Sequence, residues 1–262
     1  MAESYGAFAL YYDALTQNVD YPARAAMLDA LIRKHWSADL QACAEDRALL
    51  LDLACGTGSF SEAMAALDWD VIGVDRSEDM LMRALDKRYD SPCGERLQYL
   101  CQDMRQLDLY GTVSVTLCML DSLNHLPTVS DVRRVFSRIS LFTNPGGLLL
   151  FDVNTEYKHR QILAEQCFVY ELPDAFCTWQ NRLENHAPHY PVTIQLDFFE
   201  AIGKEQYSRM TERFTEQIYP HALLMEMLNA ADFSLLELLD GDTFTAPTQQ
   251  TQRLLYILRK GV

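Results

Sequence analysis

The chain has 262 residues, 49% of them hydrophobic, which is enough for one α/β domain with an elaboration. No apolar run reaches the roughly 20 residues of a membrane span, and the first residues, Met1-Ala2-Glu3-Ser4-Tyr5-Gly6, lack the basic and apolar regions of a signal peptide. With 37 acidic against 22 basic side chains the net charge is −15, which opposes tight binding to a phosphate backbone, so the expectations are no nucleic acid, no membrane and a small or cationic substrate.

Residues 4–36 predict two helices. Tyr5, Phe8, Tyr12 and Leu15 recur at helical spacing, and Tyr21-Pro22 opens a second helix with proline in its first turn. Ala26, Leu28, Leu31, Ile32 and Trp36 supply the apolar face of that helix, and residues 37–47 form a polar connecting loop. Leu49 to Leu53 is an apolar run broken by one acid, Asp52, and reads as a buried parallel strand. Gly56 and Gly58 then permit a tight turn, after which Phe60, Met64 and Leu67 share one face of a helix. Strand, glycine turn and helix make the first βα unit of a doubly wound sheet, whose ligands sit at the carboxyl ends of the strands.

The acids around this turn narrow the ligand. A dinucleotide fingerprint needs a third glycine where this chain has Ser61, and Asp52 would repel a pyrophosphate but favour a cation. S-adenosylmethionine (SAM) has no phosphate and carries both an ammonium and a sulfonium. One βα unit later, Asp75 ends the run Val71-Ile72-Gly73-Val74, the place for a carboxylate that accepts two ribose hydroxyls.

Ser77 predicts a helix N-cap, with Met80, Leu81 and Ala84 on the helix that follows; Met80 reads either as a contact to the adenine or as packing alone. Leu97 to Cys101 forms strand 3, ending at Gln102-Asp103-Met104, and Val113 to Met119 forms strand 4. The loop Leu120-Asp121-Ser122-Leu123-Asn124-His125-Leu126-Pro127 then falls at the carboxyl edge, beside the transferable methyl group. A helix is predicted near 129–143, broken by Asn144-Pro145-Gly146-Gly147, and Leu148 to Val153 is strand 5. From 154 to about 217 the period changes to two. Val192, Ile194, Leu196 and Phe198 alternate with polar residues, as do Met210, Glu212, Phe214 and Glu216, and 168–172 and 176–180 add two short strands. These predict an inserted antiparallel lid or substrate platform, or else a dimer surface, so both monomer and homodimer stay open. A helix near 221–231 and strands at 235–239 and 254–258 return to the core. Seven cysteines without a C-x-x-C pair read as buried reduced thiols, consistent with a cytoplasmic protein.

The stretches Leu51-Asp52-Leu53-Ala54-Cys55-Gly56-Thr57-Gly58, Val71-Ile72-Gly73-Val74-Asp75-Arg76-Ser77 and Gln102-Asp103-Met104 occur in that order. Over roughly residues 47–153 they closely resemble the motifs of class I SAM-dependent methyltransferases, and the inserted strands resemble the small-molecule N-methyltransferase branch. The resemblance implies an α/β, doubly wound Rossmann-like sheet of seven strands in the order 3-2-1-4-5-7-6, strand 7 antiparallel. It divides the chain into a helical cap (1–46), a SAM-binding core (47–153), an antiparallel β insertion (154–217) and the C-terminal part of the core sheet (218–262). It implies SAM as cofactor and a small-molecule substrate methylated on N or O. Residue by residue, it places at the cofactor Tyr12, Asp52, Ala54, Cys55, Gly56, Gly58, Asp75, Arg76, Met80, Asp103, Met104 and Leu120. Asp103 matches the acid that accepts from the adenine amino group, and Phe8-Ala9-Leu10-Tyr11-Tyr12-Asp13 matches a cap segment in which one tyrosine reaches the methionine end. Relatives usually show Ala-Gly-Phe where this chain has Ala231-Asp232-Phe233, which puts that helix cap in question.

Methyl transfer from a sulfonium is an in-line displacement that needs the acceptor held close and collinear, with water excluded. A base is required only for a protonated acceptor. His125 and Asp121 are the nearest candidates by topology, against the reading that both are ordinary loop residues. No Asp/Asn-Pro-Pro-Tyr/Phe and no Pro-Cys follows strand 4, which disfavours adenine-N6, glutamine-amide and pyrimidine methylation. Asp121, Asp152 and Asn154 occupy positions similar to the magnesium ligands of catechol-type enzymes, but Asp152-Val153-Asn154 is not their adjacent Asp-Asn, and His186, His189 and His221 lack zinc spacing. No metal is expected. The alternatives are a non-catalytic SAM-binding module, an NAD(P)-dependent oxidoreductase, and aminopropyl transfer, which usually uses a different acid-rich loop.

Overall fold

Seven strands build the central sheet: β1 (Leu49–Leu53), β2 (Asp70–Asp75), β3 (Leu97–Cys101), β4 (Val113–Cys118), β5 (Thr143–Asn154), β10 (Phe233–Asp240) and β11 (Arg253–Lys260). In this computed structural model, which describes residues 6–37, 48–172, 174–184 and 189–261, their order is β10-β11-β5-β4-β1-β2-β3. Every pair is parallel except β10 with β11 and β11 with β5, so this is the predicted order with the last strand antiparallel. Tyr5, most of the polar loop including Cys43, and His186 lie outside the described residues.

The near-continuous apolar strands follow from burial on both faces. Leu51, Leu53, Val74, Leu149 and Phe151 point to the face covered by α5 (Val129–Phe142) and α6 (His221–Ala230), where they meet Phe136, Leu224 and Leu228. Their neighbours Leu50, Val71, Val115, Leu148 and Leu150 point to the other face. There they meet Leu28 and Ile32 of α2 (Tyr21–Lys34) and Phe60 and Met64 of α3 (Ser59–Ala65). Helix α4 (Glu78–Asp90) starts where the sequence places its cap, with the Ser77 hydroxyl accepting from Met80 N at 3.3 Å.

The inserted segment forms a second, four-stranded antiparallel sheet in the order β6 (Cys167–Glu171), β7 (Ala175–Leu183), β8 (Val192–Gly203), β9 (Gln206–Glu216). Its period-two pattern is real: Val192, Ile194, Leu196 and Phe198 are buried, and they pack with Phe214 against α1 (Gly6–Leu15) and Met80. Tyr11 stacks on Phe198 with ring centroids 5.1 Å apart, so of the two adjacent tyrosines Tyr11 is the core residue.

Two local expectations change. Asn144-Pro145-Gly146-Gly147 does not precede strand 5 but lies inside it, because β5 has already paired Thr143 with Val113. The strand absorbs the break as a register shift between Val113 and Val115, with Gly146 at φ 73° and Pro145 exposed. At the departure Ala231-Asp232-Phe233, Asp232 takes the left-handed conformation (φ 64°) in which the family has glycine, and the helix ends there all the same. The irregularity in β5 is testable. A Cβ on Gly147 would lie 2.8 Å from the Asn144 carbonyl oxygen and 3.1 Å from that of Ser114, whereas one on Gly111 meets nothing within 4 Å. Gly147→Ala is expected to lower unfolding free energy by about 1–3 kcal/mol in urea, and Gly111→Ala to leave it within about 0.5 kcal/mol.

Candidate active site

The first βα turn is held by carboxylates rather than by its own sequence alone. Ala54, Gly56 and Gly58 all have positive φ (60°, 54° and 76°), and the turn is fixed by Cys55 N donating to Val74 O at 3.0 Å and Gly56 N donating to the Asp75 carboxylate at 2.9 Å. The other Asp75 oxygen accepts from Ser77 N at 2.8 Å. Burial pushes the Asp75 carboxyl upward in pKa, while these amide bonds pull it back. Gly56 leaves open space where a Cβ would stand and lines the main cleft. Gly58 lines neither cavity of the site; a Cβ there would strike the Tyr99 hydroxyl at 2.4 Å, so it is a packing glycine at the start of α3.

The main cleft encloses about 890 Å³ of space, its open mouth included. One end is walled by Asp75, Arg76, Met80, Asp103 and Met104, the other by Tyr12, Leu120, Ser122 and His125. A smaller hollow of about 320 Å³ adjoins it, walled by Asp52, Cys55 and Thr57. The sequence-derived positions from the ends of β1, β2, β3 and β4 therefore border two adjacent cavities that share Tyr12, Ala54, Leu120 and Ser122 as walls. Helix α1 is latched over them, because Asp13 accepts from Thr57 Oγ1 at 2.6 Å and from Lys87 Nζ at 2.9 Å.

Three acids sit in different states. Burial pushes the Asp52 carboxyl up to about 6, although the Ser61 hydroxyl donates to it at 2.6 Å. Asp103 is lowered, its carboxylate chelated by Arg105, whose Nε lies 2.9 and 3.0 Å from the two oxygens. For Asp121 burial works against ionisation, yet the Arg253 guanidinium at 2.6 Å, with Lys158 and His125, holds the carboxyl at about 2. A carboxylate held that low is a poor proton acceptor, so of the two candidate bases only His125 retains that role. Arg253 also pairs with Asp152 at 3.0 Å, so one guanidinium bridges the two carboxylates.

The turn after β4 is unusual in its backbone: Leu120 and Asp121 both have positive φ, 55° and 53°. It is pinned by Asp121 N donating to Asp152 at 2.6 Å and by the buried Asn124, whose side-chain amide donates to Gln217 O at 2.7 Å. His125 projects from this turn into the cleft, its ring 5.1 Å from that of Phe214 on β9, and its Nδ1 is buried without a hydrogen-bond partner among the described residues.

Residues 50–147 match a family model described as a methyltransferase domain. Over 257 residues, 98% of this chain and 97% of the relative, the sequence is 30% identical to YqeM of Bacillus subtilis (strain 168), provisionally named a methyltransferase with no substrate in its name. The chain belongs to the class I SAM-dependent methyltransferases. A solved SAM-dependent methyltransferase from Clostridium acetobutylicum ATCC 824 superposes with a TM-score of 0.81 at 26% identity, covering 98% of this chain and 99% of that one. A third relative is 30% identical over 153 residues, 58% of this chain and 54% of its own length: the Streptomyces fradiae dTDP-3-amino-3,6-dideoxy-alpha-D-glucopyranose N,N-dimethyltransferase.

In this methyltransferase the sequence reading missed the polar cluster beyond His125. Lys158 Nζ donates to Asn154 Oδ1 at 2.8 Å, and Glu216 accepts from Asn154 Nδ2 at 2.8 Å and from the buried His159 at 3.2 Å. The available signal was the alternation in β9, which puts Glu216 on the same inward face as Phe214. An acid at an inward position is the exception that marks a site.

Asp52 gives a test with a defined sign. A carboxyl near 6 in the fold and near 3.9 unfolded means the folded state holds more protons between pH 4 and 6, so this group destabilises increasingly as pH rises through that window. By pH 7 the cost is about 3 kcal/mol. The stability of Asp52→Asn relative to the wild type, from urea titrations without cofactor, is expected to rise by up to that amount between pH 4 and pH 7; a flat difference would remove the buried charge from the account.

Proposed function

We propose that this methyltransferase transfers a methyl group from SAM to N or O of a small-molecule acceptor, and that the cleft between Asp103 and His125 is where it does so. The observation that carries this reading is the cleft bordered by Gly56, Asp75, Asp103 and His125, residues from the ends of four adjacent parallel strands. The fit to SAM rests on chemistry the structure displays. Both Asp75 oxygens keep lone pairs after accepting from Gly56 and Ser77, which suits two ribose hydroxyls. Gly56 leaves room for a ligand against the backbone, and Asp52 borders the adjoining hollow, where it suits the ammonium of SAM's zwitterionic amino-acid moiety. Asp103 reaches the adenine only by sharing oxygens already chelated by Arg105, so Met80 and Met104 supply the adenine's apolar contacts while Asp103 and Arg105 border its edge.

Bound SAM supplies an electrophilic methyl group and a neutral thioether leaving group. The protein supplies placement: Tyr12 and the latched α1 exclude water, the strained Leu120-Asp121 turn sets the position of His125, and His125 takes a proton from an acceptor that must lose one. The S. fradiae relative acts on an amino sugar, which supports nitrogen, though it spans little more than half of this chain.

Calorimetry should show SAM and S-adenosylhomocysteine binding and NAD failing to bind, with Asp75→Ala weakening SAM by at least tenfold, the scale of a lost charge-assisted hydrogen-bonding pair. Because the Asp52 carboxyl titrates near 6 and its anionic form favours the ammonium, SAM affinity should fall as pH drops from 7 to 5. Transfer of radiolabelled methyl to a panel of amines, hydroxyls and thiols separates a catalyst from a binding module; SAM affinity with no transfer to any of them would sink the catalytic half of the reading.

A further inference from the structure

Asp121, His125 and Glu216 each offer one atom, an oxygen, a nitrogen and an oxygen, that lie within 4.8 Å of one another. Two come from the turn after β4 and one from the end of β9, so the group is completed by the inserted sheet. The joint between them is tight: Gln217 N donates to Asn124 O at 2.7 Å while Asn124 Nδ2 donates back to Gln217 O at 2.7 Å. Resting on the methyltransferase reading above, we propose that this trio seats the ammonium of a primary-amine acceptor, with Glu216 as the residue that selects an amine over an alcohol.

The spacing admits that ligand: three acceptors around a tetrahedral nitrogen, each at about 2.8 Å, stand about 4.6 Å apart, inside the 4.8 Å within which the three atoms lie. Free valences and charge favour it over a divalent cation. The free valences agree. Both bonds that Glu216 accepts fall on Oε2, leaving Oε1 for another donor, and the Arg253 guanidinium lies 2.6 Å from Oδ1 of Asp121. His125 Nδ1 is buried and unpartnered among the described residues. The charges agree too. Asp121, Asp152 and Glu216 face two fixed cations, Arg253 and Lys158, with the imidazoles of His125 and His159 beside them; Asp242, 4.0 Å from Arg253, is answered by Arg24 at 2.9 Å, so one further positive charge balances the cluster. A hydroxyl acceptor has one proton to give and would leave two buried acceptors without donors, which is costly.

The step balances. His125 accepts one proton from the ammonium, and the neutral amine then turns its freed lone pair from the imidazolium to the methyl carbon while keeping an N–H donated to Glu216. The lone pair forms the N–C bond as the C–S bond breaks, its electron pair goes to sulfur, and the proton on His125 leaves to solvent after transfer.

The test uses the full chain with radiolabelled SAM and two matched pairs of probes, n-butylamine against n-butanol and cyclohexylamine against cyclohexanol. S-adenosylhomocysteine affinity is measured first; its failure would sink the functional reading and not this proposal alone. With that affinity intact, the amines are expected to be methylated at least tenfold faster than the alcohols. Glu216→Gln should lower amine kcat/KM at least tenfold while S-adenosylhomocysteine affinity stays within twofold, which shows the fold intact. Should Glu216→Gln fail to fold, competition supplies the second readout: in the wild type, n-butylammonium chloride should raise the Tm of the S-adenosylhomocysteine complex and n-butanol should not. Equal use of alcohols, no effect of any amine in either assay, or transfer that requires Mn²⁺ or Zn²⁺ and stops with EDTA would each overturn the proposal, the last in favour of a metal site.

Discussion

The Asp75 carboxylate carries the architecture of the cofactor end. By accepting from Gly56 N and Ser77 N it ties the turn after β1 to the turn after β2, carrying the pairing of the two strands on into their loops. Of the three residues with positive φ within five positions, Gly56 and Gly58 take that conformation without strain but do not by themselves select it, and Ala54 disfavours it. A buried acceptor on the neighbouring strand fixes it instead, and because that acceptor is charged the bond to the amide is a strong one. The same carboxylate then presents its remaining lone pairs to the cleft, so one residue shapes the turn and equips it.

Charge held inside the sheet edge has a cost that recurs along the site. Asp52 is pushed up by burial, Lys158 is pushed down by it, and Asp152 is raised although Arg253 faces it. Cavities lined by such groups are less stable than apolar ones would be, and the excess is tolerable only when a ligand of opposite charge completes the pairing. At the cofactor end the unbalanced group is Asp52, and a sulfonium and an ammonium answer it. At the far end the surplus carboxylate stands among Asp121, Asp152 and Glu216.

The sheet was legible because its signals are local: apolar runs ended by an acid, a glycine turn, a helix period resuming at once. Strand order followed from resemblance, and the antiparallel insertion from its alternation alone. Asn144-Pro145-Gly146-Gly147 misled because a strand can carry Pro-Gly-Gly when a register shift takes up the irregularity, and nothing local announces that shift. Motif and topology singled out Tyr12, Asp75, Asp103 and His125, which border the main cleft, and Asp52, which borders the hollow beside it. Gly58, singled out with them, borders neither, and Tyr99 and Ala84 crowd the place of its Cβ. Arg253 was invisible, since a lone arginine at the start of a C-terminal strand acquires meaning only when β11 pairs it against Asn154, beside Asp152.

That distribution has a physical consequence for how such an enzyme changes its substrate. The matched family domain spans residues 50–147, and the groups that line the cofactor end lie within it except those on α1 and Tyr21 at the start of α2. Beyond His125, the side chains that set the charge of the far end come from outside that span: Lys158 and His159 from the segment after β5, Glu216 from β9, Arg253 from β11. They converge because Asn124 is hydrogen-bonded to both sides, to Asn154 N through its side-chain oxygen and to the Gln217 backbone through its amide, so one buried side chain in the core turn fixes where the insertion's strand must end. A core that holds one cofactor can therefore be paired with different inserted sheets, each bringing its own last residue to the same place beside the imidazole. On the proposed reading Glu216 is that residue here, and its carboxylate, rather than anything in the shared core, decides which acceptors this chain takes.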